Sequence, residues 1–200
     1  IFAPFNGPML GALLSAVPAL VAGNTVILKA PDQEAPQALK AMQAFHEAGF
    51  PAGVVNALSG KGPEVGQALV AHPATRLISF TGSTATGKKI MAAAAEDLKR
   101  VQLNLGSKTA QIVFPDANLE AAVNATVGSA FPGQACSAIS RVLLHNSVRD
   151  EFIALLKEKA QTAGPSMLID GAAIERVEHY VEMGNAQGTL LFGGSRPTGD

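Results

Sequence analysis

Hydrophobic and polar positions alternate between two periods along this chain. Met9–Val21 reads as an apolar helix and Thr25–Leu28 as a short buried strand. Pro36–Ala48 follows as a helix with Leu39, Met42, Ala44 and Phe45 on a broad apolar face, closed by Gly49 and Pro51. The pattern continues with strand Val54–Leu58, helix Pro63–Ala71, strand Arg76–Phe80, helix Thr84–Leu98 and strand Val101–Leu105. Short apolar strands separated by helices predict a parallel sheet covered on both faces, so residues 1–106 read as a doubly wound α/β unit. A second pattern then begins: strand Gln111–Phe114, helix Leu119–Ala130, strand Arg141–Leu144, long helix Ser147–Gln161, helix Ala172–Gln187 and strand Thr189–Phe192. Residues 107–200 therefore read as part of a second α/β domain.

Composition narrows the class. Hydrophobic residues make up 48% of the 200, enough for a sizeable core, and charged residues only 16%. The net charge of -1 argues against a nucleic-acid footprint or a polybasic membrane patch. The first 28 residues carry no charge, yet Pro4, Pro8, Pro18 and Gly23 interrupt them and no basic region precedes them. A helix buried on most sides and then a buried strand explain them better than a membrane span or a signal peptide. One cysteine excludes an internal disulfide framework and a cysteine-based zinc cage. With no address signal, a cytoplasmic home is the default. The opening at Ile1 in mid-strand, and the close at Asp200 just after Gly193-Gly194, suggest a piece of something larger.

Three constellations could carry chemistry. Gly82-Ser83-Thr84-Ala85-Thr86-Gly87-Lys88-Lys89 has the spacing of a phosphate-binding loop between a strand and a helix. Lys89 stands where such a loop needs Ser or Thr for Mg²⁺, so a helix N-terminus able to hold some phosphate remains, beside an ordinary Ser/Thr cap. Gly60-Lys61-Gly62 with Gly66 is one residue too long for a dinucleotide fingerprint, and a flexible turn explains it equally well. Cys136 follows Pro132 and Gly133, a turn that would bring the thiol near a helix N-terminus, with Arg141 nearby. Such a place makes a thiol a better nucleophile, whereas a lone cysteine is often a small core residue. His46, His72, His145 and His179 lie far apart without metal-ligand spacing, so no metal is expected.

Taken in order, these segments resemble the aldehyde dehydrogenase superfamily. Ala3-Pro4-Phe5-Asn6-Gly7-Pro8 is similar to its Pro-Trp-Asn-Phe-Pro segment, and Ala22–Lys29 to its AGNTVVLK strand. Phe80–Thr84 with Gly87 matches its FTGST-x-x-G turn, Leu103–Lys108 resembles LELGGK, and Gly133–Cys136 with Ser140-Arg141 matches GQ-x-C…SR. The resemblance implies a Rossmann-like nucleotide-binding domain over 1–106 and part of a catalytic domain over 107–200, both incomplete. It assigns Lys29 and Asp32 to the adenosine ribose, an acid there favouring NAD over NADP. Ser83 falls at the pyrophosphate contact with Gly82 beside it, and Gly62 lies in the turn near the cofactor. It makes Cys136 the nucleophile that forms a thiohemiacetal and then a thioacyl enzyme. The Asn6 amide and the Cys136 backbone N–H become the oxyanion donors.

One position departs from that pattern. Asn104 stands where hydrolytic members carry a glutamate base, and an amide takes no proton at neutral pH. The CoA-acylating methylmalonate-semialdehyde dehydrogenase branch also has Asn there, and a stretch like Pro115-Asp116-Ala117-Asn118. The expected reaction is oxidation of an aldehyde to a carboxylic acid. The alternatives are release to coenzyme A, or an inactive nucleotide-binding pseudoenzyme. The resemblance also implies a homodimer or homotetramer, and the piece alone is expected to be inactive. Phe131–Gly133 and Thr162-Ala163-Gly164-Pro165 read as shorter than the family's loops.

Overall fold

Short apolar runs become parallel strands in this computed structural model, which describes residues 1–164 and 166–196. The chain divides into two units, 1–106 and 107–200. In the first, the order is α1 (Pro8–Val21), β1 (Val26–Lys29), α2 (Ala35–Glu47), β2 (Val55–Leu58), a π turn (Gly62–Gly66), α3 (Gln67–Ala71), β3 (Leu77–Gly82), α4 (Thr84–Ala95) and β4 (Arg100–Leu105). β1 pairs with β2 and β3 with β4, both in parallel. The opening residues join the two pairs, because Phe2 bridges Lys29 on one side and Phe80 on the other. Its N–H donates to the Ser79 carbonyl at 2.8 Å and its carbonyl accepts from Thr81 N–H at 3.2 Å. On the other side Lys29 N–H donates to the Ile1 carbonyl at 2.8 Å. The order across the sheet is therefore β2, β1, the opening segment, β3, β4. This is the doubly wound Rossmann-like order, and it reverses direction between the opening segment and β3.

Alternation along β3 shows how both faces are covered. Ile78 and Phe80 pack with Val70 of α3 and with Ile90 and Ala94 of α4. Ser79, between them, faces the other way and its hydroxyl donates to that of Ser15 on α1 at 3.1 Å. On that side Ala12 and Ala16 of α1 and Ala38 and Ala41 of α2 are buried with Leu28 of β1. Small side chains let the two helices lie close over the sheet. Full burial of Leu28 alone is worth about 1.5–3 kcal/mol.

The second unit runs β5 (Thr109–Val113), α5 (Leu119–Ala130), β6 (Ile139–Leu144), a 3₁₀ turn (Asn146–Val148), α6 (Arg149–Thr162) and α7 (Gly171–Gln187). β5 and β6 are parallel, and α5 and α6 cover them around Val113, Val123, Val148 and Phe152. Side-chain caps set two of the helix starts: Asn118 accepts from Ala121 N–H and Asp170 from Ala173 N–H.

Three expectations are corrected. Thr189–Phe192 is not a strand: it pairs with nothing among the described residues, and an apolar run without a ladder partner has no reason to stay extended. Helix α1 is not buried on most sides, since only Pro8, Ala12 and Ala16 are enclosed while Leu10, Leu14, Val17 and Val21 form an exposed stripe. Helix Pro63–Ala71 begins as a wider π turn, with Pro63 contributing no N–H to its first turn. No helix among the described residues is long and apolar enough to cross a membrane. Of the short loop Thr162-Ala163-Gly164-Pro165, Pro165 lies outside the described residues.

Sequence patterning gives no hint of Lys99, whose side chain is 3% exposed. Its ammonium donates to the Val70 carbonyl at 2.6 Å and the His72 carbonyl at 3.0 Å, and pairs with Asp97 at 3.0 Å. It thus closes the C-terminal end of α3. Lys99→Met keeps the apolar stem but strands those carbonyls. It is expected to cost about 2 kcal/mol, read as a lower denaturation midpoint of the whole protein.

Candidate cofactor and nucleophile sites

In a doubly wound sheet, ligands bind beyond the carboxyl ends of the strands near the switch point. Four of the residues assigned to a cofactor, Lys29, Asp32, Gly82 and Ser83, lie at such ends or directly after them. Lys29 closes β1 and is buried, and its ammonium is paired with the Asp32 carboxylate three residues on. The two residues assigned to the ribose are thus brought together as an ion pair. Gly62 opens the π turn after β2, Gly82 ends β3, and Ser83 precedes α4.

A cavity of about 450 Å³ opens here, with Phe2, Lys29, Gly62, Phe80, Thr86 and Lys89 among its lining. Its lining is mostly apolar, with Phe2, Pro63, Val70, Phe80 and Ile90, and Lys89 adds a cation, while the Lys29 ammonium is paired with Asp32. A Cβ at Gly62 would meet no protein atom within 4 Å, so this wall leaves room for a ligand. The lining thus fits a largely apolar part of a bound cofactor, with Lys89 at its side. Asp32, Gly82, Ser83 and Asn6 are not part of it.

Two of the assigned residues have structural work. Ser83 caps α4: its hydroxyl accepts from Thr86 N–H at 3.2 Å and donates to Thr86 Oγ1 at 3.0 Å. Gly82 is a packing requirement, because a Cβ there would lie 2.5 Å from the Phe80 ring. Ser83→Ala is expected to lower stability by about 1 kcal/mol through loss of the cap, measured by chemical denaturation. Sequence reasoning missed Phe2, Phe80 and Lys89 as lining residues. Lys89 entered only as a mismatch to a Mg²⁺-binding loop, yet Thr86, Lys89, Ile90 and Ala93 all face the cavity at i, i+3, i+4 and i+7.

In the second unit, α5 ends at Ala130 and β6 starts at Ile139, with Cys136 exposed in the turn between them. No helix begins within this turn, which leads into β6, and its Gln134 side chain meets Ile169 just before α7. The eight residues from 131 to 138 go instead into reversing the chain. Gly133 (φ 58°) and Gln134 (φ 52°) are both left-handed, and Ala138 N–H donates to the Ala135 carbonyl at 3.1 Å. The turn is tied down by side chains. The Cys136 carbonyl accepts from Ser107 Oγ at 2.8 Å and from Thr109 Oγ1 at 3.4 Å. Ser129 Oγ accepts from Ile139 N–H at 3.0 Å, and Ser166 Oγ donates to the Phe131 carbonyl at 3.0 Å. The Gln134 amide reaches the segment before α7, donating to the Met167 carbonyl at 3.0 Å and accepting from Ile169 N–H at 2.8 Å. Local spacing gives no sign of any of these supports. Arg141 is exposed on β6, opposite Ala110.

Asn6 is exposed in the turn before α1, and Asn104 is exposed on β4 opposite Thr81. Among the described residues no three His, Cys, Asp or Glu side chains gather as a metal-ligand set.

The sequence model of the aldehyde dehydrogenase family matches residues 1–200. The chain is 42% identical to a hydroxyisobutyraldehyde dehydrogenase from Mycolicibacterium austroafricanum, over 98% of this chain and 41% of that protein. It is 40% identical to a betaine aldehyde dehydrogenase from Bacillus subtilis, over 97% of this chain and 42% of the relative. Among solved structures it is similar to a betaine aldehyde dehydrogenase from Staphylococcus aureus crystallised with NAD+. That match has TM-score 0.91 and 34% identity, and covers 100% of this chain and 42% of that one. The chain thus spans about two fifths of the length of the relatives it matches.

Proposed function

Since the chain belongs to the aldehyde dehydrogenase family, we propose that the whole protein oxidises an aldehyde through a thioacyl intermediate on Cys136, with NAD or NADP as acceptor. The observation that carries this reading is the exposed thiol of Cys136, set in a turn whose backbone is tied down by neighbouring side chains. An exposed nucleophile on a fixed turn meets the first need of covalent catalysis, a reacting atom held in place.

Each step on this chain conserves atoms and electrons. The Cys136 thiolate adds to the aldehyde carbonyl, forming a C–S bond and an oxyanion. The motif match assigns the Cys136 backbone N–H and the Asn6 amide as the donors for that oxyanion, where the charge develops. A bound nicotinamide cofactor would supply the acceptor for the hydride that the thiohemiacetal carbon gives up. The C–O bond then regains its double character and a thioester remains on Sγ. Release by water gives the carboxylic acid and returns the thiol. By the motif match Lys29 and Asp32 would hold the adenosine ribose and Ser83, with Gly82 beside it, the pyrophosphate, while Gly62 leaves space and Lys89 faces the same cavity. The roles of Asn6 and Asn104 likewise rest on the motif match. A cytoplasmic homodimer or homotetramer belongs to the same reading.

Asn104 favours a second reading for the last step. A side chain that cannot accept a proton leaves water without the usual base, whereas coenzyme A brings its own thiol as nucleophile. The thioacyl stage is common to both readings. Intact-mass measurement after incubating the whole protein with NAD and an aldehyde is expected to show an acyl adduct located at Cys136. No adduct with aldehydes of several sizes would overturn the catalytic reading and leave a nucleotide-binding pseudoenzyme.

A further inference from the structure

We propose that Gln134 is a positioning residue for the Cys136 turn, acting through a two-ended amide clamp on the segment between α6 and α7. This rests on the reading of Cys136 as the nucleophile. Gln134 and Leu98 are the two non-glycine residues with positive φ among the described residues. A left-handed backbone is strained for a residue with an ordinary Cβ and persists only where the surroundings over-determine it. Leu98 is held by the backbone bonds that close α4, its N–H donating to the Ala95 carbonyl at 3.2 Å and that of Lys99 to the Ala94 carbonyl at 3.0 Å, whereas Gln134 is restrained by its side chain. Its Nε2 donates to the Met167 carbonyl at 3.0 Å and its Oε1 accepts from Ile169 N–H at 2.8 Å.

A carboxamide offers a donor and an acceptor side by side, as a peptide group does. Met167 and Ile169 present a carbonyl and an N–H two residues apart, which is the edge one strand shows another. The side chain therefore docks on that segment much as a strand residue docks on its neighbour. Cys136 lies two residues further on, and its own carbonyl is held from the far side by Ser107 and Thr109. The backbone around the thiol is thus fastened at both ends. Without the amide, residue 134 is free to return to negative φ. That rotation would swing the peptide planes leading into Cys136 and displace both Sγ and the N–H assigned to the oxyanion.

Two substitutions in the whole protein separate backbone from amide. Gln134→Gly accepts positive φ without strain but has no clamp. Gln134→Glu keeps length and acceptor, lacks the donor when ionised and regains it when protonated. The expected result for Gln134→Gly is a kcat lower by about 10- to 100-fold with the aldehyde KM nearly unchanged, the signature of a misplaced reacting atom. For Gln134→Glu, kcat relative to the parent is expected to rise as the pH falls through the carboxyl range. A parent-like kcat in Gln134→Gly overturns the clamp. Should that variant fail to fold, a pH-independent ratio for Gln134→Glu overturns it instead. Cys136→Ala measured alongside keeps the two ideas apart. Turnover surviving there removes the nucleophile reading itself, while its loss together with parent-like Gln134 variants removes only the clamp.

Discussion

Cys136→Ala is expected to lower kcat for aldehyde oxidation by at least about 10⁴-fold, with cofactor affinity unchanged. The size follows from the proposed chemistry. Without Sγ no C–S bond forms, so neither the thiohemiacetal nor the thioester exists, and donors aimed at an oxyanion have nothing to stabilise. Cofactor binding should survive because the cavity with Lys29, Gly62 and Lys89 belongs to the first unit and Cys136 to the second. Steady-state NADH formation and a direct NAD titration check the two halves separately. Loss of both turnover and NAD binding would show that Cys136 is a structural residue.

The second large effect concerns how the acyl group leaves. Added coenzyme A is expected to accelerate steady NADH formation in the parent protein. Asn104→Glu is expected to raise turnover without coenzyme A by about 10²-fold or more, the usual range for a general base. Asn104 is exposed on β4, so a carboxylate there needs no buried partner and should not cost stability. If coenzyme A has no effect on the parent and Asn104→Glu gains nothing, water attacks by a route that does not involve position 104.

The alternation of strands and helices was readable because both periods are driven by burial, and burial dominates in a parallel sheet. Leu119–Ala130 matches its observed bounds, and most other elements agree to within two residues. What the pattern could not supply was partnership. The Thr189–Phe192 run has strand composition but no neighbour, and Leu10, Leu14, Val17 and Val21 look like core residues but are exposed. The site was legible in kind and not in contacts. Motifs pointed to Lys29, Gly62 and Cys136 and included Gln134, but gave neither Lys89 on the cavity wall nor the contacts of the Gln134 amide. Those depend on where a helix face and a distant loop come to lie, which local spacing does not encode. Likewise Pro132-Gly133 signals a turn before Cys136 but does not specify that it leads into β6.

The double bridge at Phe2 carries a consequence for the order of folding. Among the described residues, the β1–β2 pair and the β3–β4 pair are linked in the sheet through residues 1–3, which bond to residues 27 and 29 on one side and to residues 79 and 81 on the other. The middle of the sheet is therefore made by residues 1–3 meeting a strand nearly eighty positions later. During synthesis the β1 side can form first, but the opening segment keeps one bare edge until β3 has left the ribosome. Contacts of such long sequence separation are slow to close, and an unpaired edge in the meantime is open to wrong partners.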